Sequence, residues 1–263
     1  MRLALVGTPR SLGPVRPELM ADLPEGTRLE AWPSRVGVFP SGPLERDMQA
    51  LGHLEAGLCA LEADVDALVL DTLGDYGLAA LRAVSARPVV GAGEAGMGAA
   101  AERGRFAIVT VWPASMNFVP EGLLRAYGHE ASCLAIHNVG LEEDLANLSG
   151  PEGYLGQVGS GAQTLLARID AAIARACAQG AEAILLGCTC MSPIAARLAQ
   201  ASRVPVINPL REAARLAVQR AASAAPKPAQ PPVARLAAVR AMVDAVADLP
   251  EEACPVCVVA QAF

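Results

Sequence analysis

The feature that most constrains this chain is the character of its apolar runs. Stretches such as ALVL (67–70) and AILL (183–186) are strand-sized, carry no polar alternation and recur between segments of helical period. A strand with no hydrophilic side must be covered on both faces, which is the situation of parallel strands flanked by helices. Strands are expected at Leu3–Gly7, Arg28–Trp32, Ala67–Asp71, Pro88–Gly91, Phe106–Val111, Ser132–Ile136, Ala183–Gly187 and Val204–Ile207. Between them, Leu44, Met48, Leu51, Leu54, Leu58 and Leu61 follow helical spacing, as do Leu165, Leu166, Ile169, Ile173 and Cys177, after which Gly180 supplies a C-cap. Strand–helix alternation of this kind specifies an α/β fold with parallel sheets.

The pattern is doubled. Each half has a strand that ends in a short polar turn and then starts a helix: ALVLDTLGDYGLAAL in the first, AILLGCTCMSPIAARL in the second. The expected organisation is two pseudo-symmetric Rossmann-like domains with the active site in the cleft between them. Residues 1–96 with 207–222 form one half and 97–206 the other. A linker (SAAPKPAQPP), a helix near Val233–Ala247 and a tail fill 223–263. Ligands of open parallel sheets bind beyond the carboxyl ends of the strands, where both turns fall.

Composition closes off several function classes. The chain has 263 residues, is 53% hydrophobic and carries a net charge of −6 with no basic stretch, so no nucleic-acid partner is expected. No apolar run approaches the ~20 residues that cross a bilayer, and the N-terminal MRLALVG reads as a strand rather than a signal peptide. A cytoplasmic protein is expected, with its seven cysteines mostly reduced. The single lysine, Lys227, lies in the Pro/Ala linker, a poor place for a Schiff base with pyridoxal phosphate. No phosphate-binding glycine loop is present, and none of His53, His129 and His137 has metal-ligand spacing. Neither a cofactor nor a metal is expected.

Cys188 is the best candidate for chemistry. It follows a buried strand and a glycine and opens a helix capped by Thr189 or Ser192. A thiol at a helix N-terminus is biased toward thiolate and can act as base or nucleophile. Backbone N–H groups of the same turn can hold a carboxylate or enolate oxygen. A buried structural cysteine is the alternative. Cys190 could form a redox pair with Cys188 or share a metal with it.

GCTC (187–190), preceded by EAILL and followed by VPVINP (204–209), resembles the second catalytic-cysteine motif of the aspartate/glutamate/hydantoin racemase superfamily. DTLGDYGL (71–78) with RPVVGAGEAGM (87–97) resembles the first motif of its hydantoin racemase branch. The similarity covers roughly residues 1–222. It implies cofactor-independent proton transfer at a Cα–H beside a carbonyl. One group removes the proton and a second returns one to the opposite face. It also implies a small-molecule substrate with a carboxylate or cyclic ureide group, and a homo-oligomer.

The match departs at one point, for the family's first cysteine falls on Thr72. Threonine cannot hold a thiolate-like charge, although it can hydrogen-bond a carboxylate or relay a proton. Asp75, in the same turn, is a candidate second base, while Asp71 should point to the opposite face. Leu73 and Gly74 offer backbone donors. Cys190 stands where many amino-acid racemases carry histidine, and Asn208 where the family commonly has aspartate. Arg10 and Ser11 follow Thr8 in the loop after the first strand, and Arg10 could pair with a substrate carboxylate. Trp112 and Ser115 occupy the equivalent loop of the second half, and Glu94 lies near another strand end. The histidines read as bland, with His53 on the polar side of its helix. Cys254 and Cys257 form a lone CxxC in the tail.

Three functions remain open on this basis. The first is racemisation or epimerisation of a hydantoin or amino-acid-like compound. The second is cofactor-free decarboxylation of a malonate-type acid by Cys188 alone. The third is a binding protein that has kept the cleft and lost the chemistry.

Overall fold

A computed structural model describes residues 1–7, 14–148, 153–223 and 229–247. The chain divides into two compact units, residues 1–91 with 213–263 and residues 92–212.

The first unit is built on β1 (Arg2–Val6), β2 (Arg28–Trp32), β3 (Ala67–Leu70) and β4 (Val89–Gly91), all parallel, in the order β2-β1-β3-β4. Val6 pairs with Leu70 in register. Helix α1 (Pro43–Glu62) follows β2, and α2 (Leu78–Val84) follows β3. Ala4, Val6, Leu68 and Leu70 form one face of the sheet and pack with Ala56, Leu58, Ala60 and Leu61 of α1 in a single buried cluster. Each such leucine or valine contributes about 1.5–3 kcal/mol on leaving water, which is why uninterrupted apolar runs are needed here.

The second unit repeats this plan. Helix α3 (Ala92–Ala101) leads to β5 (Phe106–Thr110), α4 (Phe118–Tyr127), β6 (Cys133–Asn138), α5 (Tyr154–Ser160), α6 (Gln163–Ala178), β7 (Ala183–Leu186), α7 (Ala195–Ala201) and β8 (Val206–Ile207), and α8 (Pro209–Ser223) begins here and belongs to the first unit from Ala213 on. Its parallel sheet has the order β6-β5-β7-β8. In both sheets the first and third strands lie inside, flanked by the second and fourth. Phe106, Ile108, Ala183, Leu185 and Ile207 share a core with Met97, Ala100 and Leu124. All eight expected strands are present, most shorter by a residue or two at one end.

The expected C-terminal helix is α9 (Leu236–Ala247). It packs on α1: Leu236 and Val239 enter the α1 cluster, and Asp244 accepts a 2.6 Å ion pair from Arg35. No helix among the described residues is long and apolar enough to cross a membrane.

Candidate functional site

Each sheet delivers its third strand to a polar turn. In the first unit that turn is residues 71–77. Asp71 is buried and takes two hydrogen bonds from Arg16, from Nε and Nη2, both 2.8 Å. Thr72 is half-buried, and its Oγ1 accepts the Gly74 N–H at 3.2 Å. That hydroxyl therefore keeps its own proton to donate. Gly74 spends its N–H on Thr72. The Leu73 N–H has no partner among the described residues.

Asp75, the candidate second base, is buried, with φ +49, and its carboxylate lies over the α-carbon of Gly91, the last residue of β4. A side chain at Gly91 would overlap it. Tyr76 packs its ring against Gly74 in the same way.

In the second unit the turn is Gly187–Cys190. Gly187 lies against the side chain of Thr110, where a Cβ would collide, so the chain leaves β7 in close contact with β5. Cys188 has extended dihedrals (φ −156, ψ 141) and itself caps the following helix, its Sγ accepting the Cys190 N–H at 3.1 Å. That helix is a six-residue 3-10 segment, Thr189–Ile194, interrupted by Pro193. Neither Thr189 nor Ser192 acts as its cap, and a six-residue segment brings no long helix dipole to Cys188.

The structure joins Cys188 and Cys190 in a disulfide, with Cα atoms 5.2 Å apart, where reduced thiols were expected. Cys188 is 9% exposed. The free cysteines among the described residues are Cys59, Cys133 and Cys177. Burial pushes the Cys133 thiol up to about 11 and raises Cys59 as well. Both are therefore poor nucleophiles at neutral pH.

Around Cys188, Asn208 explains itself. Its Nδ2 donates to Ser192 Oγ at 2.9 Å, and its Oδ1 accepts the N–H groups of Leu210 and Arg211 at the start of α8. An amide can do both at once, whereas aspartate could only accept. Ser115 is exposed and donates to Glu142 at 2.8 Å. Trp112 is half-buried beside Tyr154, with ring centroids 6.4 Å apart.

Tyr154 escaped the sequence reading. Its hydroxyl donates to Val111 O at 2.6 Å, burial raises its pKa, and its helix α5 packs on the 3-10 segment after Cys188. A lone tyrosine in a glycine-rich loop, GPEGYLG, was the available signal.

Two further residues were missed or misread. Arg16 carried no motif. His53, placed by its helical position on a polar side, is only 5% exposed. Two glycines account for this. Gly52 lets α1 approach Ser34 and Val36, and Gly7 leaves room for the imidazole.

His137 lies at the partly exposed end of β6 against Gln179. Thr8, Arg10, Ser11, Lys227, Cys254 and Cys257 lie outside the described residues. Among the described residues, no group of three or more His, Cys, Asp or Glu is placed to hold a metal ion.

The family model for Asp/Glu/Hydantoin racemase matches residues 18–217. A hydantoin racemase from Rhizobium meliloti is 35% identical over 159 residues, a stretch covering 58% of this chain and 59% of that enzyme's length. The solved allantoin racemase from Klebsiella pneumoniae superposes with a TM-score of 0.73 at 28% identity, covering 90% of this chain and 93% of that one. Arylmalonate decarboxylase shares the fold at 15% identity, with a TM-score of 0.53 and coverage of 88% and 96%. With both cysteine-motif turns inside the matched region, the chain belongs to the Asp/Glu/Hydantoin racemase family.

Proposed function

We propose that this chain is a cofactor-independent racemase acting on an acidic Cα–H next to a carbonyl. The substrate is a 5-substituted hydantoin or a related cyclic ureide, and Cys188 is an acid/base. The observation that carries this reading is the placement of Cys188 at the carboxyl end of an inner strand, with the Cys190 N–H directed at its sulfur. A hydrogen bond to the charged form favours thiolate, and a thiol titrates close enough to neutrality to give and take protons.

The Thr72 turn carries donors of its own. Its hydroxyl proton and the Leu73 N–H are donors suited to the oxygen on which enolate charge develops. The relatives named hydantoin racemase and allantoin racemase support a cyclic ureide as the substrate class. A ring proton between carbonyl and amide is more acidic than that of an amino-acid anion, which suits a site with a single reactive thiol.

Thr72 itself favours a second reading. With no cysteine on that turn, Cys188 would be the sole proton donor, which suffices for decarboxylation of a malonate-type acid.

Proton NMR in heavy water separates the two. Reduced enzyme is given hydantoins, amino acids and substituted malonates. Loss of a Cα–H signal without change of skeleton, abolished in Cys188→Ala, is the expected result. A decarboxylated product would replace racemase by lyase.

A further inference from the structure

Cys188 and Cys190 stand on one short turn, with Thr189 alone between them, and their sulfurs are joined. A structural staple does not account for this bond. A disulfide stabilises mainly by closing a long loop of the unfolded chain, and a loop with one intervening residue has almost no closure entropy to remove. The turn is also fixed without it. The Gly187 N–H donates to Val109 O at 2.8 Å, and the Gly187 carbonyl accepts from Thr110 Oγ1 at 3.3 Å. Beyond Cys190, the Met191 N–H donates to Cys188 O at 3.2 Å. What the bond changes is the chemistry of Cys188.

The two sulfurs are not equivalent. Cys188 is 9% exposed, and its Sγ accepts the Cys190 N–H, which favours the thiolate. Cys190 is half-buried and the more open of the two. Burial raises Cys59 and pushes Cys133 up to about 11, so neither competes for a mild oxidant.

We propose that Cys190 is a resolving thiol, and that the pair is a redox site through which hydrogen peroxide switches Cys188 off reversibly. The proposal takes from the racemase reading only that Cys188 is an active thiolate. That thiolate attacks one peroxide oxygen. An S–O bond forms, the O–O bond breaks, and the departing hydroxide takes up a proton and leaves as water. Cys188 becomes a sulfenic acid, oxidised by two electrons, and the peroxide is reduced by two. The Cys190 sulfur then attacks Cys188. The S–S bond forms as the S–O bond breaks, and the Cys190 proton leaves with the hydroxyl as a second water. A dithiol reverses the switch by attacking the more open Cys190 sulfur. Cys188, held by the Cys190 N–H, is the better leaving group. The dithiol ends as its own disulfide, and Cys188 is again free to transfer protons. Without a resolving partner, a sulfenic acid is open to further oxidation to sulfinic acid, which dithiols do not reduce.

The test uses the reduced full-length enzyme, freed of reductant and given a small excess of hydrogen peroxide. In wild type, the peptide holding Cys188 and Cys190 is expected to lose two hydrogens by mass, and hydantoin proton exchange is lost with them. Dithiothreitol should then return more than about nine-tenths of that exchange. Cys190→Ser should instead gain two or three oxygens at Cys188 and recover less than about one-tenth of its own untreated activity. Equal recovery by wild type and variant would overturn the proposal. So would oxygens added at Cys188 of the wild type without a disulfide, or oxidation of Cys59 or Cys133 ahead of Cys188. If untreated wild type shows no proton exchange, the racemase reading falls and mass alone decides. A reversible disulfide in wild type, replaced by added oxygens in the variant, would still support this site. Should Cys190→Ser fail to fold, Cys190→Ala is put to the same assay.

Discussion

Arg16 holds Asp71 through two parallel hydrogen bonds of 2.8 Å at the point where β3 gives way to the Thr72 turn. The Asp71 side chain is wholly buried and that of Arg16 is 12% exposed, so the pair is out of water. Removing Arg16 strips both charge-assisted hydrogen bonds from the buried Asp71 carboxylate, which destabilises by about 3–5 kcal/mol. Arg16→Met is expected to lower unfolding stability by that amount in urea titration. The double change Arg16→Met with Asp71→Leu should restore much of it. Additive losses in the double variant would show that the two side chains act independently.

Gly7 is the second test of local geometry. Its φ is +80, and an added Cβ would overlap the His53 ring. The left-handed backbone alone costs a non-glycine residue about 1–2 kcal/mol. Gly7→Ala should lose more than that in wild-type protein and less in a His53→Ala background, where the overlap is gone. Thermal unfolding of the four proteins gives the coupling directly.

The Cys188–Cys190 disulfide removes the thiol that proton transfer requires. Protein purified without reductant is expected to be inactive. Dithiothreitol, by supplying two electrons and two protons, should switch activity on, with two additional thiols appearing in a titration under denaturing conditions. Cys190→Ser should be active without reductant. Equal activity of wild type before and after reduction would remove Cys188 from the chemistry.

His53 also sets a pH dependence of stability. Its folded pKa lies below the ordinary 6.5, so between those values the unfolded chain binds a proton that the folded chain refuses. The stabilisation is therefore complete above 6.5, declines as pH falls through 6.5 toward the folded value, and then levels off. His137, lowered by burial too, adds a contribution of the same sign. The melting temperature should fall between about pH 7 and about pH 5, the window in which histidine titrates. The fall should be smaller in His53→Gln. An unchanged slope in the variant would assign the effect to other groups.

The sheets were legible because their strands are apolar on both faces, a pattern that burial on both sides forces. The doubling was legible for the same reason: ALVLDT and AILLGC each mark a third strand leaving its sheet. What escaped depends on partners distant in sequence. Helical position put His53 on a polar side because periodicity cannot register that Gly7 and Gly52 clear space for its helix. The grip of Arg16 on Asp71 spans 55 positions and leaves no local signature. The helix expected after Cys188 is a short 3-10 segment because Pro193 interrupts it.

The return of α9 to α1 has a consequence for biosynthesis. Residues 236–247 leave the ribosome after the whole of the second unit, yet Leu236 and Val239 belong to the core beneath α1. The half encoded first is thus the half completed last. During translation, the α1 face that will receive Leu236 and Val239 stays bare while the 92–212 segment has all its strands in hand. Such transiently exposed apolar surface is what chaperones bind and what aggregates form from. A nascent chain stalled before residue 236 should therefore be far stickier than its length suggests.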